Sequence, residues 1–184
     1  MNHKSYSMFQ IPTVEVEIDN WETKKEQLLQ LYENQSIERY EVEDGDTLYT
    51  NYFSEQCEVD DVNEILCDEI NFFAKKLDIK KFELTHAWFQ KYDNQDKHSI
   101  HTHGALGYSF VCFVHFNPEV HKSTTFISPF TNFIDGNVLS FAPDVNEGSI
   151  IFFPAKIMHL APINNSDEPR LILSGNIKVD KTCA

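Results

Sequence analysis

The feature that most constrains the fold is a series of short apolar segments between Phe82 and Val179. The segments are rich in β-branched and aromatic residues, and several alternate apolar with polar positions, which is typical of β-strands. Turn-forming pairs such as Gly136-Asn137, Ala142-Pro143 and Glu147-Gly148 separate them. Many short strands with regular turns predict a barrel or jelly roll. The expected strands span residues 82–92, 107–116, 124–130, 138–141, 149–153 and 170–179.

The part of the chain before these strands has a different pattern. Residues 9–18 alternate and predict a first strand, and Asn20 is expected to cap a helix over 21–35. Residues 35–56 are polar and predict a surface excursion. A second helix is expected to begin at Asp60 or Asp61, because apolar residues then recur at helical spacing up to Leu77. These patterns predict one mainly β (α+β) domain over 1–184, with a helical support at 1–80 and a β core at 81–180.

Composition limits the possible functions. The chain has 184 residues and a formal net charge of −14, without any basic run, so binding to bare nucleic acid is not expected. No apolar stretch is long enough to span a membrane, and the N-terminal residues lack the apolar core of a signal peptide. The four cysteines form no CxxC motif and are expected to be free thiols, which predicts a cytoplasmic protein. A pairing of Cys57 with Cys67 is the alternative.

Three histidines and one arginine are the candidate site residues. His101 and His103 are two positions apart, so on a strand their imidazoles would lie on the same face. Two adjacent neutral imidazoles suit iron, zinc, copper or nickel. His159 lies after the apolar run 149–154, where it can converge on the first pair. Arg170 opens the last apolar segment, and a guanidinium inside a barrel needs a carboxylate or phosphate partner.

From Trp88 to Ile177 the chain resembles the 2-oxoglutarate/Fe(II)-dependent oxygenases, above all the small prolyl-hydroxylase-like group of phages and marine bacteria. The resemblance depends on an aromatic strand that ends at Tyr92, the motif His101-Thr102-His103, the run GSIIFFPAKIMHLAPI with His159, and RLILSGNI with Arg170. It implies a double-stranded β-helix. It also implies Fe(II) held by His101, His159 and a group at position 103, and 2-oxoglutarate bound by Arg170, Tyr92 and Asn176.

The activity implied by the resemblance is that of a dioxygenase. The cosubstrates would be 2-oxoglutarate and O₂, the products succinate and CO₂, and the usual outcome hydroxylation of a further substrate. Two loop regions, residues 35–56 and 119–137, are expected to form the site of that substrate, whose identity they do not reveal.

His103 departs from the family pattern, because Asp or Glu usually stands at this position. His103 is expected to be a third imidazole ligand. Two other arrangements stay open. His103 could support the ligands without contacting the metal, or a different selection from His98, His101 and His103 could be the ligands. The same departure leaves two alternative functions, a cupin-type dioxygenase with three histidines and no 2-oxoglutarate, and a barrel that binds a metal or ligand without catalysis.

Overall fold

Two antiparallel β-sheets contain most of the regular secondary structure in a computed structural model, which describes residues 10–42, 45–104 and 107–180. Two helices accompany the sheets, and neither is long and apolar enough to cross a membrane. The elements are β1 (Val14–Glu17), α1 (Trp21–Glu33), β2 (Glu38–Glu41), β3 (Thr47–Thr50), α2 (Val59–Lys76), β4 (Phe82–Tyr92), β5 (His98–His101), β6 (Tyr108–His115), β7 (Thr125–Thr131), β8 (Val138–Phe141), β9 (Ser149–Pro154), β10 (His159–Ala161) and β11 (Arg170–Val179).

The sheets differ in size and in strand order. The larger has seven strands in the order β1-β9-β6-β11-β4-β3-β2, and the smaller has four in the order β5-β10-β7-β8. Neighbouring strands are antiparallel throughout, and β11 pairs with both β4 and β6 over most of its length. The prediction of a mainly β protein with two N-terminal helices is therefore confirmed, and six predicted strands are found within two residues of their expected ends.

Strand β6 shows why the larger sheet is buried on both faces. Phe110, Cys112 and Val114 belong to a core between this sheet and the helices, where Phe73 of α2 stacks on Phe152 with ring centroids 4.5 Å apart. The alternate positions of β6, Val111 and Phe113, belong to a second core between the two sheets. Side chains of a strand alternate between faces, so residues 110–114 of β6 are all apolar because each face contacts a different core.

Four local predictions differ from the structure. Helix α2 begins at Val59 with Glu58 at its N-cap, so Asp60 and Asp61 lie in its first turn and neither caps it. Asn20 has a left-handed backbone (φ 55°) and makes no side-chain cap, although its carbonyl accepts hydrogen bonds from the N–H groups of Thr23 and Lys24. Residues 35–56 are not a mere surface excursion, because β2 and β3 extend the larger sheet and bury Leu48. No strand is expected from the sequence between 82–92 and 107–116, yet residues 93–100 contain most of β5.

The cysteines behave largely as expected. Cys57, Cys67 and Cys112 are free, so Cys57 and Cys67 do not form a disulfide. Cys183 lies outside the described residues. Burial raises the pKa of the Cys57 thiol to about 11, which keeps it protonated at neutral pH.

Candidate metal centre

The three predicted histidines meet at one end of the smaller sheet. His101 is the last residue of β5, and His159 is the first residue of β10, directly opposite it in the ladder. His103 follows β5, and its backbone N–H donates a hydrogen bond to the carbonyl of Ala155 at 2.9 Å. One ring nitrogen from each of the three histidines lies within 4.8 Å of the other two. The structure thus brings together residues that are up to 58 positions apart in sequence (159 − 101).

Backbone carbonyls orient two of these imidazoles. His101 Nδ1 lies 2.8 Å from the carbonyl oxygen of Ser99, and His159 Nδ1 lies 2.9 Å from that of Ile157. A carbonyl oxygen only accepts hydrogen bonds, so each Nδ1 carries the proton and each Nε2 keeps its lone pair. This is the arrangement in which a histidine ligates a metal through Nε2 while its other nitrogen is held by the protein.

A side-chain amide has the same role for the third imidazole. His103 Nδ1 donates a hydrogen bond to Asn176 Oδ1 at 2.7 Å, and the Ser109 hydroxyl donates to the same oxygen at 2.8 Å. His103, Ser109 and Asn176 are all buried. The network leaves His103 Nε2 free, just as the backbone does for His101 and His159. Asn176, predicted to bind 2-oxoglutarate, lies next to the histidines and contacts His103 in this structure.

Burial keeps the three histidines uncharged. It lowers the pKa of His103 to about 4 and that of His159 to about 3, and it also lowers the pKa of His101. The neutral form is the one that coordinates metals, so at neutral pH these nitrogens need not lose a proton first. Three convergent neutral imidazoles therefore fit a transition-metal ion such as iron, zinc, copper or nickel.

The position of the usual carboxylate is occupied by His103. In the described part of the chain no Asp or Glu belongs to the group of convergent ligand atoms. Asp46 is nearby, but its Oδ1 accepts hydrogen bonds from the N–H and the hydroxyl of Ser99. Asp46 Oδ2 is 4.0 Å from His98 Nε2. Asp46 therefore braces β5, on which His101 lies.

His98 contacts the metal centre but is not one of the three histidines whose ring nitrogens converge. Its ring stacks on that of His101 with centroids 3.9 Å apart, and its Nδ1 is 3.3 Å from Gln90 Nε2. The Ser174 hydroxyl in turn donates a hydrogen bond to Gln90 Oε1 at 3.1 Å. Sequence reasoning missed Ser109, Gln90 and Asp46, because no local motif relates them to the histidines.

A cavity of roughly 230 Å³ opens beside His101 and His103. Asp46 is the single carboxylate among its lining residues, and no Lys or Arg of the described chain lines it. Four aromatic side chains form a continuous series of ring contacts along the cavity: Tyr40, Phe53, Tyr52 and Trp88, of which Trp88 also contacts His103 with ring centroids 5.4 Å apart. Phe53 is 65 % exposed and Trp88 only 4 %, so the series leads from solvent to the histidines.

Arg170 is a buried cation without an anionic partner among the described residues. It is 2 % exposed, and burial lowers its pKa. Its Nη1 and Nη2 donate to the carbonyls of Lys122 and Pro162 at 2.6 and 2.8 Å, and its guanidinium carbon lies 4.5 Å from the centre of the Tyr92 ring. A buried charge is costly unless it is paired. Arg170 therefore has unused capacity to bind an anion.

Arg170 and Tyr92 lie on the same inward face as the metal-supporting residues. Arg170, Ser174 and Asn176 are separated by even numbers of residues along β11, and Arg170 pairs directly with Tyr92 of β4. Tyr92 belongs to the core between the two sheets and does not line the aromatic cavity. Its hydroxyl makes no hydrogen bond to any residue within the described ranges. The guanidinium and the phenol thus share one side of the interior, and the aromatic cavity lies at another.

Comparisons with known proteins identify the fold. No family model matches the chain, and no curated protein matches its sequence. Among solved structures, the α-ketoglutarate-dependent non-heme epimerase SnoN from nogalamycin biosynthesis is similar, with a TM-score of 0.68 at 16% identity over 91% of this chain and 78% of that one. A prolyl-4-hydroxylase from Pseudomonas putida gives a TM-score of 0.62 at 13% identity, over 91% and 92% of the two chains.

A viral enzyme gives the same result. The collagen prolyl hydroxylase of Paramecium Bursaria Chlorella virus-1, solved with 2-oxoglutarate, matches with a TM-score of 0.57 at 14% identity, over 90% of this chain and 94% of that one. The chain therefore has the fold of 2-oxoglutarate/Fe(II)-dependent oxygenases, including the prolyl-hydroxylase group, as the resemblance in its sequence implied.

Proposed function

We propose that the protein is an Fe(II)- and 2-oxoglutarate-dependent dioxygenase that hydroxylates a further substrate and releases succinate and CO₂. The observation that carries the proposal is Arg170, a buried cation with no anionic partner in the described structure, on the inward face that also supports three convergent neutral histidines. A ligand with a metal-chelating end and a distal carboxylate would satisfy both features. In structures of this fold, SnoN and the viral hydroxylase have been solved with such an oxoacid.

The strand order supports the finer description of the fold as a double-stranded β-helix. The four central strands of the larger sheet, β9-β6-β11-β4, face the four strands of the smaller sheet, β5-β10-β7-β8, across the inner core. This is a jelly-roll arrangement of two four-stranded sheets. Strands β1, β2 and β3 then extend the larger sheet on both sides, and the two helices cover its outer face.

The proposed ligands of Fe(II) are the Nε2 atoms of His101, His103 and His159. The protein's contribution is to hold them neutral by burial and to orient each ring through its Nδ1–H group. Once bound, Fe(II) and 2-oxoglutarate supply the oxidative chemistry with O₂. Three imidazoles add no negative charge to the ion, so this centre is more cationic than one with two histidines and a carboxylate.

Arg170 and Tyr92 are proposed to bind the distal carboxylate of 2-oxoglutarate. The guanidinium can give a bidentate, charge-assisted pair, and the Tyr92 hydroxyl can donate a further hydrogen bond. Burial raises the pKa of Tyr92, which keeps this hydroxyl protonated and able to donate. Asn176 is proposed to lie at the edge of the cosubstrate site, where it also holds His103.

The lining of the aromatic cavity favours a substrate moiety that is uncharged or cationic. Its lining includes one carboxylate and four aromatic rings but, in the described ranges, neither Lys nor Arg. A phosphate or carboxylate placed there would have no cation to pair with, whereas an apolar ring or an amine can pack against the faces of aromatic rings. Residues 35–56, expected to contribute to the substrate site, supply three of these rings.

The proposal is tested by anaerobic absorption spectroscopy with Fe(II) and 2-oxoglutarate. Chelation of the oxoacid is expected to produce a weak visible charge-transfer band in the wild-type protein. In Arg170→Ala the apparent Kd for 2-oxoglutarate should rise at least tenfold, because one charge-assisted pair is lost, while Fe(II) still binds. Arg39→Ala, which removes a half-exposed arginine that pairs with Glu41 and Asp96, is the control. Bound Fe(II) without a band in the wild type would refute the proposal.

One observation favours a second candidate. His103 in place of a carboxylate also fits a dioxygenase with three histidines in which the substrate itself chelates the metal and no oxoacid is used. In that case the wild-type protein would bind Fe(II) and consume O₂ with substrate but would form no succinate from 2-oxoglutarate. A barrel without catalysis would bind Fe(II) and 2-oxoglutarate and form no succinate with any substrate tried.

A further inference from the structure

The β7–β8 hairpin (residues 125–141) exposes a group of large apolar side chains. Phe133 and Ile134, at its tip, are 92 % and 96 % exposed. All four residues of β8 are exposed, and three of them are apolar: Val138, Leu139 and Phe141. Single exposed apolar residues are ordinary on protein surfaces, but a contiguous group of this kind marks an interaction site.

The backbone of the same hairpin has an open edge. β8 is the last strand of the four-stranded sheet, and within the described residues it pairs with β7 alone. Proteins usually protect such edges with charged side chains, proline or a covering element. β8 reads Val-Leu-Ser-Phe and has none of these protections. Its free N–H and carbonyl groups can form a ladder with another strand.

An apolar cavity of about 400 Å³ lies at the base of the hairpin. Its lining includes Phe126 of β7, Leu139 and Phe141 of β8, and the partly exposed Ile11. One surface thus combines a protruding apolar tip, an open strand edge and an apolar recess. A surface with both an apolar projection and an apolar recess can be complementary to itself under a two-fold axis.

Charge indicates which molecule can approach this surface. The protein has a net charge of −14, so two copies repel each other over most orientations. Of the 17 residues in 125–141 (141 − 125 + 1), Asp135 is the single charged one. The hairpin is therefore a nearly neutral face on an acidic protein, where a second copy can dock without bringing like charges together.

We propose that the β7–β8 hairpin is the interface of a two-fold symmetric homodimer. Antiparallel pairing of β8 with the β8 of a second copy satisfies both open edges at once. In that pairing Val138, near the tip of one hairpin, lies opposite Phe141, at the base of the other. Phe133 and Ile134 of each copy are thereby directed to the apolar recess of its partner. A stable dimer of this kind buries about 800 Å² per copy, and the inference does not depend on the enzymatic activity.

The test is the molar mass of the full chain in solution, measured by light scattering after gel filtration over a dilution series. The wild type is expected at twice 21.4 kDa, or 42.8 kDa. The double variant Phe133→Glu/Ile134→Glu is expected at 21.4 kDa, because four carboxylates would then enter two apolar recesses. Both residues are almost fully exposed, so the substitutions leave the core intact, which an unchanged far-UV circular dichroism spectrum checks.

Phe72→Glu is the matched control. Phe72 is 49 % exposed on α2 and belongs to a different surface, so this variant should stay dimeric. Hydrogen exchange gives an independent measurement, since β8 amides should gain protection as concentration rises. A wild type that is monomeric at every concentration would overturn the proposal. So would a double variant that stays dimeric, or β8 amides whose protection does not depend on concentration because another part of the chain covers them.

Discussion

Asn176→Ala is the substitution that reports most directly on whether His103 binds the metal. The Asn176 amide oxygen accepts hydrogen bonds from His103 Nδ1 at 2.7 Å and from the Ser109 hydroxyl at 2.8 Å, and all three residues are buried. Alanine removes the acceptor and leaves both donors without a partner. His103 then loses the contact that keeps its proton on Nδ1 and its Nε2 directed at the other two histidines.

Asn176→Ala is expected to have two separate effects, one on the free energy of unfolding and one on the affinity for Fe(II). Each buried donor left unsatisfied costs about 1–3 kcal/mol, so the free energy of unfolding should fall by roughly 2–6 kcal/mol less whatever water restores. Loss of the group that orients a metal-binding histidine typically costs 10–100-fold in metal affinity, or about 1.4–2.7 kcal/mol. The second effect is expected only if His103 is a ligand.

Anaerobic calorimetric titration with Fe(II) measures the affinity, and urea unfolding of the metal-free protein measures the stability. Asn176→Asp is the matched variant, because a carboxylate oxygen at the same position still accepts from His103 and should preserve Fe(II) binding. Ser109→Ala removes only the second donor and should leave Fe(II) affinity within about threefold of wild type, since the His103 contact survives. An Asn176→Ala protein that folds and binds Fe(II) as tightly as wild type would refute His103 as an oriented ligand.

Two further predictions concern stability. Burial lowers the pKa of His103 to about 4 and that of His159 to about 3, below the value of about 6.5 in an unfolded chain. As the pH falls below 6.5 the unfolded state takes up protons that the folded state excludes. These two histidines should therefore contribute no change in the free energy of unfolding of the metal-free protein above pH 7. Below 6.5 it should decrease by up to about 1.4 kcal/mol per pH unit for each histidine, as far as the folded pKa; urea titrations at pH 7 and pH 5 measure this, and equal values would contradict it. Phe73→Ala should lower the free energy of unfolding by about 3–5 kcal/mol, because Phe73 is fully buried and stacks on Phe152. Phe72→Ala, at the exposed neighbouring position, should change it by less than about 1 kcal/mol, and similar losses in the two variants would show that Phe73 is not packed as described.

A strand could be predicted from the sequence where at least one of its two faces is apolar. β11 is found at 170–179 and β8 at 138–141, with the bounds expected from the sequence, because apolar residues and turn pairs mark their ends locally. Residues 35–56 could not be predicted in this way. Their polar composition resembles a loop, yet Leu48 and Asn51 are almost completely buried there, because β3 pairs with a strand some forty residues further along the chain.

The sequence by itself determined the chemistry of the site. It specifies three imidazoles and a guanidinium, and the strand-like segments around His101, His159 and Arg170 indicate that they can converge. Only the tertiary structure decided which histidine nitrogens are free to bind a metal and whether the Arg170 guanidinium is free to bind an anion. Asn176 reaches His103 across 73 residues (176 − 103), and burial makes the histidines neutral. Arg170 has no anionic partner in the described structure, because the carbonyls of Lys122 and Pro162 and the ring of Tyr92 are its neighbours there. Protonation and pairing depend on neighbours in space, which spacing along the chain does not encode.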